Sequence, residues 1–384
     1  MYRSLRDAVG AMPWLIIAMS SLANAACECG YSLNATTDPK FAVFTDLIEN
    51  DFLHTTTENI TQVGWRPQLY NVSAKDARGP YGKDFQVTNV ETNPLKDKFS
   101  WAGEAENGGD AGLRLWVRGD HSHGYVEGAE LASVRNDQLF GSFRIGMKLA
   151  NAASGTCGAF FWFHNNSQEI DMEFLSKQFN NSQGAVNLVL QTPASLAHGY
   201  DASGTDEFRV APLPFRPDEK FHEYRFDWTP EKVSFYVDGQ WLYDMTENIP
   251  REGGRMFLNH WSNGDPLWSA GPPSADTAMT VSYVKAYFNS TDESQKQAYT
   301  KRCSSFNATA VCPIPNQTVA PDGSGPEGNK TARTYFFTQD GGKAPGQQIF
   351  QTNNNPHSGV ASLSTSLFTY VPLFVALASW AFAL

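Results

Sequence analysis

Gln168-Glu169-Ile170-Asp171-Met172-Glu173-Phe174-Leu175 decides the fold, because acidic and apolar residues alternate through it without a break. Side chains of a β-strand point to opposite faces in turn. Glu169, Asp171 and Glu173 therefore share one face, and Ile170, Met172 and Phe174 share the other. The apolar face calls for a core. Three like charges in a row on the other face repel one another and cost stability. An ordinary solvated face mixes in Lys, Thr or Ser, so the triplet points to chemistry.

Similar alternating runs flank this segment. Gly112-Leu113-Arg114-Leu115-Trp116-Val117-Arg118, Ser142-Phe143-Arg144-Ile145-Gly146-Met147-Lys148 and Lys232-Val233-Ser234-Phe235-Tyr236-Val237-Asp238 read as strands, and Asp238-Gly239 reads as a hairpin turn. From Phe41 to Phe288 no long stretch holds a helical apolar period, which predicts an all-β sandwich of two antiparallel sheets. From about Asn289 to Gly359 the chain is rich in Ser, Thr, Asn, Gly, Pro and Gln and reads as a glycosylated, mostly disordered stalk.

Both ends read as addresses. Arg3 and Arg6 precede an apolar stretch through Trp14-Leu15-Ile16-Ile17-Ala18-Met19, and Ala23-Asn24-Ala25 is a small-x-small site, the pattern of a signal peptide cleaved after Ala25. An N-terminal membrane anchor is the alternative, with an apolar run short for a span. At the other end, Leu367–Leu384 is almost wholly apolar and follows a polar stretch from Asn353 to Ser366. This fits a glycosylphosphatidylinositol attachment signal with its ω site in 353–359; a transmembrane helix is the alternative. The expected division is 1–25 signal peptide, 26–290 catalytic domain, 291–359 stalk and 360–384 a removed attachment signal. The protein is thus expected to be secreted, held on the plasma membrane or cell wall by its lipid anchor, and monomeric.

Nine N-x-S/T sequons agree with that route. Asn34, Asn59, Asn71, Asn289, Asn307, Asn316 and Asn329 are the glycosylation candidates; Asn180 is left aside, and Asn165 lies just before the acidic strand, where a glycan would crowd a cleft. Five cysteines (Cys27, Cys29, Cys157, Cys303, Cys312) in an oxidising compartment predict two disulfides. Cys303–Cys312 is a plausible short loop, Cys27 or Cys29 a plausible staple of the mature N-terminus, and the connectivity stays open. No Cys-x₂-Cys pair or His cluster points to zinc, and no metal site is expected.

The net charge of −11 argues against a nucleic-acid partner, which needs basic surface. Aromatics make up 13% of the chain, with 10 Trp, which suits the stacking of pyranose rings and equally a buried core. Positions i and i+4 of a strand lie ~13 Å apart at the backbone. Inward-leaning Glu side chains close that to the ~5–5.5 Å that retaining glycoside hydrolysis uses. Close carboxylates also hold at least one proton to unusually high pH, as an acid catalyst requires.

Glu169-Ile170-Asp171-Met172-Glu173-Phe174-Leu175 resembles the E-x-D-x-E signature of glycoside hydrolase family 16, in the form of its lichenases, xyloglucan endotransglycosylases and fungal chitin–glucan transglycosylases. Phe221-His222-Glu223-Tyr224-Arg225-Phe226-Asp227-Trp228, Val237-Asp238-Gly239, Met256-Phe257-Leu258-Asn259-His260-Trp261, Gly128-Ala129-Glu130 and Phe140–Ile145 resemble further strands of that family in the same order. The resemblance covers roughly Gly103 to Phe288, and 1–98 match loosely.

It implies a jelly-roll sandwich with an open cleft on its concave face. Glu169 is then the nucleophile, Asp171 its assisting carboxylate and Glu173 the general acid/base. Glu130, Asn259 and Trp261 are expected to face the sugar, with Trp162 and Trp268 on the cleft wall, each Trp having core packing as its alternative. His222 is expected either near substrate or as a structural residue. Arg144 replaces a Glu common in the family and is expected to alter the cleft. No cofactor is required; a structural Ca²⁺ is possible, but no residue pattern marks its site.

The implied function is a retaining, endo-acting glycosidase on β-1,3/1,4-type wall glucan, anchored as a fungal cell-wall member. The alternatives are a transglycosylase joining glucan or chitin chains, a non-catalytic glycan-binding or adhesion protein, and a purely structural wall glycoprotein, which the long aromatic domain disfavours.

Overall fold

The computed structural model describes residues 27–33, 42–55, 60–151 and 154–322, and the backbone of 348–350. The expected signal peptide, the attachment signal with its ω site, and the sequons at Asn34, Asn59 and Asn329 lie outside the described residues. In chain order the first elements are β1 (Tyr31–Ser32), β2 (Val43–Phe44), β3 (Asp46–Asp51), β4 (Trp65–Pro67), β5 (Tyr70–Val72), α1 (Ala74–Ala77), β6 (Gly82–Phe85) and β7 (Val90–Asn93). The central ones are β8 (Gly112–Val117), β9 (Tyr125–Ser133), β10 (Gln138–Lys148), β11 (Cys157–Asn165), β12 (Gln168–Leu175), β13 (Gly184–Gln191), α2 (Pro193–Ala197) and β14 (Phe208–Leu213). There follow β15 (His222–Trp228), β16 (Val233–Val237), β17 (Gln240–Met245), β18 (Arg255–Trp261), β19 (Thr277–Ser290), α3 (Glu293–Arg302), β20 (Cys312–Pro313) and β21 (Gln348–Phe350).

Two large, mainly antiparallel sheets carry most of these strands. One runs β14-β13-β12-β11-β18-β9-β6-β5, with β4 on β9. The other runs β17-β16-β15-β10-β19-β3-β21, with β8 on β19 and β7 on β8. Apolar positions of both meet in a single core, where Ile170, Met172 and Phe174 of β12 lie with Phe143, Phe226 and Trp228. Rings interlock across it: Trp162 and Trp228 have centroids 4.4 Å apart, and Phe160 lies 5.3 Å from Phe226. The Asp238-Gly239 turn has positive φ at both residues, as a two-residue hairpin joining right-twisted strands requires.

The core also corrects one expected cleft residue. Trp162 is fully buried and donates its indole N–H to the Gln138 carbonyl. It stands opposite Ile170 in the β11–β12 register, so strand alternation turns it away from the acidic face and into the core.

Arg144 is likewise not in the cleft. It lies in β10 of the opposite sheet, buried, with Nε donating to Ser142 Oγ at 3.0 Å and Nη1 donating to the Pro315 carbonyl. His222, in the same sheet, takes the structural alternative: its Nδ1 is 2.6 Å from Asp238 Oδ2, and its ring stacks on Phe215 at 3.5 Å.

The chain beyond 290 departs from the expected stalk as far as 322. Asp292 caps α3 by accepting from the backbone N–H groups of Ser294 and Gln295. Cys303 pairs with Cys29 and Cys312 with Cys27, so the short Cys303–Cys312 loop does not form. β20 runs parallel to β1, and Val311, Ile314 and Gln317 are buried. Covalent ties hold this segment in place, together with two small clusters: Ile314 with Tyr31, Phe44 and Leu47, and Ala310 and Val311 with Cys29. α3 buries no residue at all, so it carries no apolar period for a sequence reading to find.

Candidate active site

β12 is the third strand in from one edge of its sheet, flanked by β11 and β13 over most of its length. That pairing fixes its register and so fixes the acidic face. Glu169, Asp171 and Glu173 line a cleft of about 550 Å³ with Ala159 and Phe161 of β11, Asn259 and Trp261 of β18, and Trp268. Of the expected contact residues, the structure therefore brings Asn259, Trp261 and Trp268 to the triplet. Glu130 stands opposite Asn259 in the β9–β18 register, on the same face of the sheet, and is buried, with Oε1 accepting from the Tyr70 hydroxyl at 3.0 Å and Oε2 from Asn259 Nδ2 at 3.3 Å. That contact orients Asn259, whose Oδ1 has no hydrogen-bond partner among the described residues.

Burial dominates the electrostatics. Removal from water pushes the Glu169 carboxyl up to about 8, with a hydrogen bond from Asp171 opposing the rise. Burial pushes Asp171 up as well, and the charges of Glu169 and Glu173 add to this. The two side chains share a hydrogen bond that favours charge on Glu169 and the proton on Asp171. Asp171 is thus the donor and Glu169 the acceptor. Burial also raises Glu173, while hydrogen bonding with Cys157, the Lys83 charge and the Trp268 side chain pull it back. One proton is shared by the Glu169–Asp171 pair, while Glu173 makes its hydrogen bonds with Cys157 and Trp268. Such an arrangement can separate a nucleophile from a proton donor.

Several residues at the cleft were not legible as site residues. Lys83 of β6 sits over the Trp261 ring. Arg78, just after α1, donates to the Gly199 carbonyl and lies over the Tyr200 ring at 5.2 Å, linking two parts of the cleft wall. Leu267 lines the cleft and is 83% exposed. Lys83 and Arg78 come from the part of the chain with the loosest motif match, and Gly79-Pro80 signals only a turn there. The free thiol of Cys157 faces Glu173, which five cysteines of unknown pairing do not reveal.

The sequons differ in setting. Asn71, Asn307 and Asn316 are exposed and Asn289 is half-buried. Asn165, at the β11–β12 hairpin, accepts from the Ser167 backbone N–H and hydroxyl.

Asp84, His123 and Glu127 place one potential metal-ligand atom each within 4.8 Å of one another. Asp84 follows Lys83 in β6, so alternation points it away from the cleft. An imidazole in the set suits a transition ion better than Ca²⁺, which takes oxygen ligands.

The sequence profile of the glycosyl hydrolases family 16 matches residues 95–285. A beta-glucanase of Acetivibrio thermocellus is 31% identical over 158 residues, 39% of this chain and 43% of that protein. A beta-glucanase of Paenibacillus polymyxa is 29% identical over 213 residues, 52% of this chain and 76% of that protein. The chain thus covers less than half the length of the Acetivibrio relative. Among solved structures, a prokaryotic beta-1,3-1,4-glucanase (lichenase) from a mouse hindgut metagenome superposes with a TM-score of 0.45 at 21% identity, over 63% of this chain and 98% of that one.

Proposed function

Residues 95–285 form a family 16 glycosyl hydrolase domain, and from that premise we propose that the chain is a retaining, endo-acting glycosidase of β-1,3/1,4-type glucan. The observation that carries the proposal is the acidic face of β12 in the cleft, with its three carboxyls held towards their protonated forms. Glu169 attacks the anomeric carbon as the glycosidic C–O bond breaks, and Glu173 gives its proton to the departing oxygen. Water protonates Glu173 in return as it displaces Glu169, releasing the sugar with its configuration kept. Asp171 donates its hydrogen bond to Glu169, then loosens it as the Glu169 charge is consumed in the covalent ester.

Asn259 Oδ1 offers an unpaired acceptor for a sugar hydroxyl, and Trp268 offers an apolar face. Leu267 extends that face outward, which supports the second reading. A sugar resting there takes the place of water, and the enzyme becomes a transglycosylase joining glucan or chitin chains. The expected signal peptide and lipid anchor, in the same proposal, place a monomeric enzyme beside the wall polysaccharide it remodels.

Glu169→Gln and Glu173→Gln decide whether the cleft is catalytic. Each variant is expected to lose at least ~10³-fold in turnover on mixed-linkage glucan. Near wild-type turnover in either sinks the assignment, and binding without product in the unmodified protein favours an adhesion role. A labelled oligosaccharide acceptor separates the two reactions: label in longer chains means transfer, and only shorter sugars mean hydrolysis.

A further inference from the structure

Four of the five cysteines are paired, and Cys157 stays a buried free thiol. It opens β11, where alternation puts it on the cleft face with Ala159 and Phe161, packed with Trp261 and Trp268. In the β11–β12 register Ala159 stands opposite Glu173 and Cys157 opposite Leu175, so the thiol is the diagonal neighbour of Glu173. Its Sγ lies 3.5 Å from Glu173 Oε1, within reach of an S–H donor, and its other acceptor, the Gly158 carbonyl, is farther at 4.0 Å.

We propose that Cys157 is a positioning residue for Glu173: its S–H donates to Oε1 and leaves Oε2 as the oxygen that carries the proton to the glycosidic bond. The role rests on Glu173 being the general acid/base. Oε1 accepts from the thiol whether the carboxyl is protonated or ionised. In the first half-reaction Oε2–H gives its proton to the departing oxygen. In the second, Oε2 takes one from the incoming water or sugar hydroxyl. The thiol neither gains nor loses a proton in either half.

Burial and the nearby Glu173 charge keep Cys157 well above the ordinary thiol range, so it remains a donor. Asp171 and Glu169 on β12, Lys83 on β6, Glu130 on β9 and Arg78 beyond α1 are the other charged groups around this pair. A thiol suits the position because it donates weakly. It aims the carboxyl without holding it ionised, and Glu173 must start the cycle protonated.

The test compares Cys157→Ala, which removes the donor, with Cys157→Ser, which keeps one. Cys157→Val keeps the volume without a donor and serves if the Ala variant does not fold. On polymeric glucan the Ala variant is expected to lose roughly 3–10-fold in kcat/KM. Its alkaline pH limb is expected to rise by about half a unit, as Glu173 keeps its proton longer. The Ser variant, which keeps a donor, recovers turnover and holds the limb at or below its wild-type position. On an aryl glycoside whose leaving group needs no proton, all variants stay within about twofold of wild type in kcat/KM, which reports the first half-reaction alone. Equal losses on both substrates, or Ala and Ser variants that behave alike, overturn the positioning role. Near wild-type turnover in Glu173→Gln instead overturns the acid/base reading beneath it.

Discussion

Lys83 Nζ lies 4.2 Å from the centroid of the Trp261 ring. The two come from β6 and β18, on either side of β9 in the cleft sheet. The ammonium covers one face of the indole, and Trp261 is otherwise buried among Phe85, Cys157 and Leu175. Burial lowers the proton affinity of Lys83, and the charges of Glu130 and Glu173 restore part of it. The effect is mutual, since Lys83 pulls both carboxyls down from where burial alone would leave them.

Lys83→Met keeps the apolar stem and removes the charge. Without the cation Glu173 holds its proton to higher pH, and the alkaline limb of kcat/KM is expected to move upward, measured on soluble mixed-linkage glucan. The lost cation–π contact costs about 0.5–2 kcal/mol of stability. An unmoved limb together with the stability loss would show that the charge serves packing and does not reach the acid.

How far the site was legible follows from what each residue's signal was. Glu169, Asp171 and Glu173 announce themselves because a period of two and three like charges coincide on one strand. Asn259 and Trp261 are marked only by the resemblance of Met256–Trp261 to a strand of the family. Trp162 misled because a tryptophan near an acidic strand suits a sugar site and a core equally; only the register with Ile170 decides between them. Lys83 and Arg78 carry no pattern of their own and reach the cleft through the pairing of β6 beside β9. Arg144 and the segment to 322 were hidden for a related reason. A buried arginine whose Nη1 donates to the carbonyl of Pro315 needs a partner 171 residues away, which no local window contains.

Removal of charge should also stabilise the fold. The Glu169 carboxyl is raised from 4.5 to about 8, chiefly by burial. Between those values the folded Glu169–Asp171 pair holds a proton, on the Asp171 side of its hydrogen bond, that the unfolded chain gives up. Folding therefore takes up protons across the window, and stability falls as pH rises through it. Below 4.5 both states are protonated and the penalty vanishes. Glu169→Gln is expected to melt higher than wild type at pH 8, by on the order of a few degrees, with the gap closing by about pH 4. Scanning calorimetry across that range checks it, and a gap independent of pH would mean that the gain has some other source than the buried proton.

The disulfides tie both ends of the sandwich domain together on the sheet that does not carry β12. Cys27–Cys312 closes a loop of 285 residues and Cys29–Cys303 one of 274, on the sheet opposite the cleft. They pin 303–317 over β10 and β15, where Arg144 meets Pro315 and Arg225 Nη1 donates to Asn316 Oδ1 at 3.0 Å. Asp227 pairs with Arg225 in the same buried patch. A released segment exposes two arginines whose remaining partners stay behind, so unpaired polar groups add to the lost cross-link. Cys27→Ala with Cys312→Ala is expected to cost roughly 2–5 kcal/mol, or about 4–20 °C in Tm at a few degrees per kcal/mol. Turnover at 25 °C should stay within about twofold, because β12 and its partners β11 and β13 belong to the other sheet. A matching fall in kcat at 25 °C would instead tie the clamp to the cleft through the core between the sheets.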